Sequence, residues 1–197
     1  MAMVNGKIRI MMSSTIRGNE YLIRQICAIL QGFGYEVYSS LYKTIPVYPG
    51  LSNTENCLKA VETCDCLFGI IFPRYGNIPD LKDGRSITHR EMSKGIELQK
   101  PCWFAAHRDV YVARELLRQY MYLNDGKTVN KDFKFERTSV LEDARVIDIY
   151  NEAIKGDIGP ITREEHWVDE FFNESELLKI VDTQFKDIDR IKGVINK

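Results

Sequence analysis

The 197 residues are 44% hydrophobic and 28% charged, with a formal net charge of -1. A chain of this size and balance can bury one core with an appendage and has no surplus positive charge to hold a phosphate backbone, so nucleic acid is not an expected partner. No apolar run reaches the roughly 20 residues that span a bilayer, and Met1 to Met12 lacks the apolar stretch and cleavage site of a signal peptide; the expectation is a cytoplasmic protein with no membrane association.

The first apolar run, Lys7 to Met12, ends in Ser13-Ser14-Thr15. A helical pattern follows from Asn19 to Phe33, where Leu22, Ile23, Ile26, Ile29, Leu30 and Phe33 recur at helical spacing and Gly32 and Gly34 bracket the end. Tyr35 to Tyr42 reads as a second strand. Thr44 to Leu51, with Pro46, Pro49 and Gly50, interrupts regular structure, after which Ser52 or Asn53 caps a helix carrying Cys57, Leu58 and Val61.

Cys66 to Phe72 is apolar at consecutive positions, the pattern of a strand covered on both faces. A polar loop, Arg74 to Arg85, leads to a helix from Ser86 to Gln99, then a buried strand from Pro101 to Ala106 and a helix from Val110 to Leu123. This alternation predicts a flavodoxin-like α/β domain over residues 1–124, a parallel sheet with helices on both faces.

Residues 125–197 read as a mainly helical C-terminal extension. Phe133 to Thr138 is a candidate edge strand, Glu142 to Ile154 a helix and Gly156 to Pro160 a break. The last segment, Glu174 to Ile195, places Leu177, Val181, Ile188, Ile191 and Ile195 on one stripe, which either packs on its own domain or joins two copies as a homo-oligomer.

Five cysteines (Cys27, Cys57, Cys64, Cys66, Cys102) are an odd number, four of them in apolar stretches, and Cys64-Asp65-Cys66 is too tightly spaced for a zinc or redox pair. They read as structural thiols. His107 ends a strand and His166 neighbours Trp167, neither with a second ligand at metal spacing, so no metal site is expected.

In a flavodoxin-like sheet the ligand lies outside the carboxyl ends of the first and third strands, where strand order reverses. Those ends are Ser13-Ser14-Thr15 and Pro73-Arg74-Tyr75-Gly76. Hydroxyls ahead of a helix suit phosphate or ribose oxygens, or simply cap the helix. Arg17 and Arg74 border the crevice and can hold an anion or remain solvated; Tyr75-Gly76 can stack a base or close a turn.

The helix from Ser86 carries the sharper signal. Ile87, Met92, Gly95, Ile96 and Leu98 fill one half of its wheel; His89, Arg90, Ser93, Lys94 and Glu97 fill the other, so His89 is expected in solvent. Glu91 falls in the apolar half. A carboxylate there must find partners or carry a raised pKa, which marks it as a candidate reactive group unless a neighbouring arginine holds it.

Several stretches together resemble a bacterial family known only as a domain of unknown function. They are Met11 to Gly18, Glu55-Asn56-Cys57-Leu58, Cys64-Asp65, Arg74-Tyr75-Gly76, Ser86-Ile87-Thr88-His89, Glu91 and Lys100-Pro101, and the likeness runs from about Lys7 to Leu117. That family is similar to nucleoside 2-deoxyribosyltransferases and to Toll/interleukin-1 receptor-like (TIR-like) domains, which share the flavodoxin-like plan. In the transferases a nucleophilic Glu opens a helix ending Gly-Lys-Pro, and Glu91 with Gln99-Lys100-Pro101 resembles this, with Gln99 in place of the glycine. The TIR-like NAD hydrolases place their catalytic Glu a few residues after a Ser, as Ser86 precedes Glu91.

The resemblance implies a nucleotide-like small molecule as partner, with NAD or a nucleoside as substrate rather than a resident cofactor, in bacterial defence or signalling. Glu91 would be catalytic, and Ser13, Ser14, Thr15, Arg17, Arg74, Tyr75, Gly76 and Ser86 would bind substrate. The contrasting expectation is a non-catalytic TIR-like module that binds a nucleotide or a protein partner.

Overall fold

Consecutive apolar residues build the sheet outward from its centre. In the computed structural model, which describes residues 6–79, 83–123, 128–154 and 167–196, strand β3 (Cys66–Ile71) is buried at every position. Beside it lie β1 (Arg9–Ser14) and β4 (Cys102–His107), and outside those β2 (Glu36–Tyr38) and β5 (Val168–Phe171). The order is β2-β1-β3-β4-β5 and every pairing is parallel. This is the flavodoxin-like arrangement that the alternation of strands and helices predicts.

Seven helices occur among the described residues: α1 (Glu20–Gly32), α2 (Asn53–Thr63), α3 (Ile87–Glu97), α4 (Arg108–Met121), α5 (Val146–Ala153), α6 (Glu174–Phe185) and α7 (Ile188–Ile195). Strand residues alternate between the two faces. Ile10, Met12, Phe68 and Ile70 pack with α1, α6 and α7. Met11, Leu67, Ile71 and Phe104 pack on the other face with α2, α3, α4 and α5.

Two glycines set the seat of α3. A Cβ on Gly69 of β3 would lie 2.7 Å from the Phe104 ring and 3.1 Å from Met92 Cε; one on Gly95 of α3 would lie 3.0 Å from Leu67 Cδ1. Missing side chains thus let α3 lie close on β3. At the opposite end of the strands Arg9 grips Asp65, with Nη2 donating to Oδ1 at 2.6 Å and Nε to Oδ2 at 3.0 Å. Asp65 is therefore a bracket between β1 and β3, and Cys64 and Cys66 on either side are buried free thiols.

The structure corrects several expected elements. Phe133 to Thr138 forms no strand; its alternating Phe133 and Phe135 pack directly on the core. The free edge of β4 is taken by β5, whose Val-Asp-Glu-Phe sequence carries little apolar pattern. The sheet thus crosses the boundary placed at residue 124. The second strand ends at Tyr38 rather than Tyr42, because Thr44 turns the chain back on Ser39.

The final helix is two: Asp187 leaves helical geometry and its side chain accepts from Arg190 N, starting α7. Leu177, Val181 and Ile191 are buried within the chain's own core, together with Phe185. Gly156 to Pro160 and His166 lie outside the described residues.

Replacing Gly69 by Ala should cost about 1–3 kcal/mol of stability, the usual penalty for an extra methyl group in a packed core. A denaturant midpoint unchanged from wild type would contradict this account of the α3 seat.

Candidate functional site

Helix α3 starts where Ser86 caps it, its Oγ accepting from His89 N at 3.2 Å. From there Thr88, Glu91, Met92 and Gly95 recur at helical spacing and are buried against the sheet. Glu91 thus occupies a core position and is 4% exposed. Ser13, register-paired with Gly69 on the neighbouring strand, donates its hydroxyl to Glu91 Oε2 at 2.6 Å. The Cys57 thiol of α2 lies beside the same carboxylate.

Burial pushes the Glu91 carboxyl up to about 7, against the opposing pull of the Ser13 hydroxyl and the Cys57 thiol. Burial and the adjacent carboxylate push the Cys57 thiol up to about 12, which keeps its proton in place as a donor. Among the described residues no cation pairs with Glu91, so the arginine-tied alternative finds no support.

Glu91 lines a cleft of about 570 Å³ at the carboxyl ends of β1 and β3, within the range of small-molecule sites. Of the residues expected to bind substrate, Ser14, Thr15, Arg17 and Gly76 line this cleft, and Ser13 reaches it through Glu91. Three do not line it. Arg74 turns away, its Nη1 donating to the Arg17 carbonyl at 3.1 Å while its own carbonyl accepts from Thr15 Oγ1 at 3.0 Å, so it braces the loop that carries Arg17. Tyr75 is buried in the core, and Ser86 serves as the helix cap.

His89 is 2% exposed, where the helical wheel expects it in solvent. The reason is α5, which covers that arc of α3. Tyr75 Oη lies 2.7 Å from His89 Nδ1, and His89 Nε2 lies 3.1 Å from Glu152 Oε1 on α5. Burial raises the Glu152 carboxyl, but its bonds to His89 and Ser93 outweigh that and hold it below its ordinary range. As an acceptor, that carboxylate receives the Nε2–H hydrogen bond of His89, while Nδ1 faces the Tyr75 hydroxyl.

The sequence reading missed the far wall of the cleft. Ser39, Ser40 and Lys43 come from the connection after β2, and Asn53, Asn56 and Cys57 from the start of α2. Asn56 is itself fixed, accepting from Tyr48 N at 2.7 Å and donating to Leu51 O at 3.0 Å. A signal existed in the Glu-Asn-Cys-Leu stretch. It lacked a reason to face Glu91 until α2 was known to pack beside α3.

A second cleft, about 560 Å³, opens beyond β4 and β5 and holds Arg74. Two close pairs lie in it: His107 Nδ1 is 3.3 Å from Asp109 Oδ2, and Arg137 Nη1 is 3.7 Å from Glu142 Oε1. Among the described residues no cluster of three His, Cys, Asp or Glu side chains could hold a metal ion, and no helix is long and apolar enough to cross a membrane.

Fold and site together define a flavodoxin-like α/β protein with a buried carboxylate at the floor of a switch-point cleft. A family profile described as a domain of unknown function (DUF4062) matches residues 9–186, and the chain belongs to that family. Comparison with curated proteins finds no match.

The raised pKa of Glu91 has a stability consequence. Because the folded value lies above the unfolded one, its stabilising contribution is complete below about pH 4.5 and is lost as the pH rises through about 7. Glu91→Gln cannot ionise and escapes this loss. Between pH 4.5 and 8 the difference in unfolding free energy should move in favour of Glu91→Gln by about 3 kcal/mol, the equivalent of the shift from 4.5 to about 7. A pH-independent difference would show that the carboxylate is not held in a dry seat.

Proposed function

We propose that this protein cleaves or transfers the N-glycosidic bond of a nucleotide-like substrate such as NAD or a nucleoside, with Glu91 as nucleophile or as stabiliser of the sugar cation. The observation that supports this most is the setting of Glu91: a carboxylate without a cationic partner among the described residues, oriented by Ser13 beside the Cys57 thiol, at the floor of an open cleft. A structural carboxylate would be expected to be neutralised by a cation.

The chemistry suits that residue type. As the bond from C1′ to the base nitrogen breaks, its electron pair leaves with the base and the sugar becomes oxocarbenium-like. The Glu91 carboxylate either faces that positive charge or bonds to C1′; water or an acceptor hydroxyl then attacks C1′, breaking any C1′–Glu91 bond so that the carboxylate is regenerated, and the attacking group's proton passes to the departed base or to solvent. The Ser13 donor holds one geometry of the carboxylate, so less orientation is lost on reaching the transition state. The resemblance to nucleoside 2-deoxyribosyltransferases and TIR-like NAD hydrolases points to the same chemistry.

One observation favours the non-catalytic alternative, a module that binds a protein partner. Val112, Leu116, Tyr120 and Leu123 follow one another at helical spacing along α4 and just past its end, and all are exposed. Catalysis separates the two readings.

Purified protein incubated with NAD, nucleosides and deoxynucleosides should release free base from one of these classes. The rate should rise with pH through about 7, as Glu91 ionises, and level off above it. Glu91→Gln should lower the rate by orders of magnitude while the protein stays folded, as loss of a nucleophile does. Absence of base release across the whole panel, or normal release by folded Glu91→Gln, would overturn the assignment.

A further inference from the structure

The charges of the cleft are segregated. Among the described residues, Glu91 is the one acidic residue in its lining and lies buried, whereas Arg17 and Lys43 are exposed and neither enters an ion pair. They reach the cleft from different elements. Arg17 stands on the β1–α1 loop, whose carbonyl Arg74 braces, and Lys43 stands on the loop after β2.

Lys43 is held in an uncommon backbone conformation. Its φ is 54°, in the left-handed region that a side chain disfavours and glycine enters freely. The loop is fixed around it: Lys43 N donates to Ser40 O at 3.2 Å, Thr44 N to Ser39 O at 3.1 Å, and Ser39 N to Thr44 Oγ1 at 3.0 Å. A turn alone would be better made by Gly or Asn. A lysine here puts a positive charge at the cleft at some conformational cost, and such outliers mark places where a side chain has a task.

Resting on the reading of the cleft as a nucleotide site, we propose that Arg17 and Lys43 form a phosphate subsite and that the substrate is a 5′-phosphorylated nucleotide rather than a free nucleoside. The arginine fork and the lysine point charge suit phosphate oxygens, and the Ser40 hydroxyl in the same lining offers a further donor. Phosphate at the cations and sugar over the carboxylate also fix the direction in which the ligand lies. The phosphate keeps its distance from Glu91, which would repel it.

The test uses matched pairs that differ only in the phosphate: nicotinamide mononucleotide against nicotinamide riboside, and deoxyadenosine 5′-monophosphate against deoxyadenosine. Each is titrated calorimetrically into the Glu91→Gln chain, which keeps the ligand intact, and base release is followed with the wild-type chain. The expected result is that, in at least one pair, the phosphorylated member binds about tenfold or more tightly, the order expected for hydrogen bonds to a charged group. Adding Lys43→Gly or Arg17→Gln should bring that ratio toward one, and Lys43→Gly should not lower the melting temperature, since glycine suits the backbone there.

Equal binding of both members, or a preference that survives both substitutions, overturns the phosphate subsite and leaves the glycosidic chemistry standing. If no member of either pair binds and none yields free base, the phosphate subsite and the nucleotide reading of the cleft fall together.

Discussion

The close approach of α3 to β3 is the constraint on which the site depends. It exists because Gly95 offers no side chain to Leu67 and because Gly69 leaves room below Phe104 and Met92. At that separation the buried stripe of α3 is fixed in rotation, and Glu91 must face the sheet rather than water. The register of β1 on β3 then pairs Ser13 with Gly69, which puts a hydroxyl where the carboxylate needs a donor. Packing geometry and not a neighbouring charge sets the chemistry of Glu91: little water reaches it, its pKa rises, and it meets the cleft uncompensated.

The opposite flank of α3 is held by polar contacts. Tyr75, His89 and Glu152 form a chain from the β3–α3 loop through α3 to α5, and the Arg145 guanidinium lies 4.5 Å from the Tyr75 ring centroid. A buried network with its members satisfied gives a particular orientation in a way that apolar packing alone does not. The part of the chain after residue 124 therefore contributes to the site at second hand: α5 holds α3 from the side, and β5 completes the sheet. Arg74 acts in the same indirect way, bracing the loop of Arg17.

What could be read in the sequence follows from how local the cause is. The apolar run of β3 and the strand–helix alternation are local patterns, and they predict the parallel sheet and its carboxyl ends. Glu91 was legible because one charge interrupted an apolar arc. His89 was not, because the arc it occupies is covered by a helix some sixty positions later, so a wheel for α3 alone counts it as solvent. β5 was hidden for a related reason: an edge strand of Val-Asp-Glu-Phe needs no apolar run, while Phe133 and Phe135 alternate like a strand without a partner to pair with. Lys43 left no trace, since a left-handed lysine looks like any lysine. Gln99, just past the end of α3, is a second residue whose left-handed backbone, with a φ of 53°, no local pattern announces.

The claim at the centre of this account is that Glu91 is a desolvated carboxylate facing a cleft. Carbon-13 NMR of a glutamate-labelled chain, with the Glu91 carboxyl assigned by comparison with Glu91→Gln, measures its titration directly. The account predicts a midpoint near 7. A midpoint near the ordinary glutamate value of about 4.3 would mean that water or a cation reaches the carboxylate in the folded protein, and the central claim would be wrong.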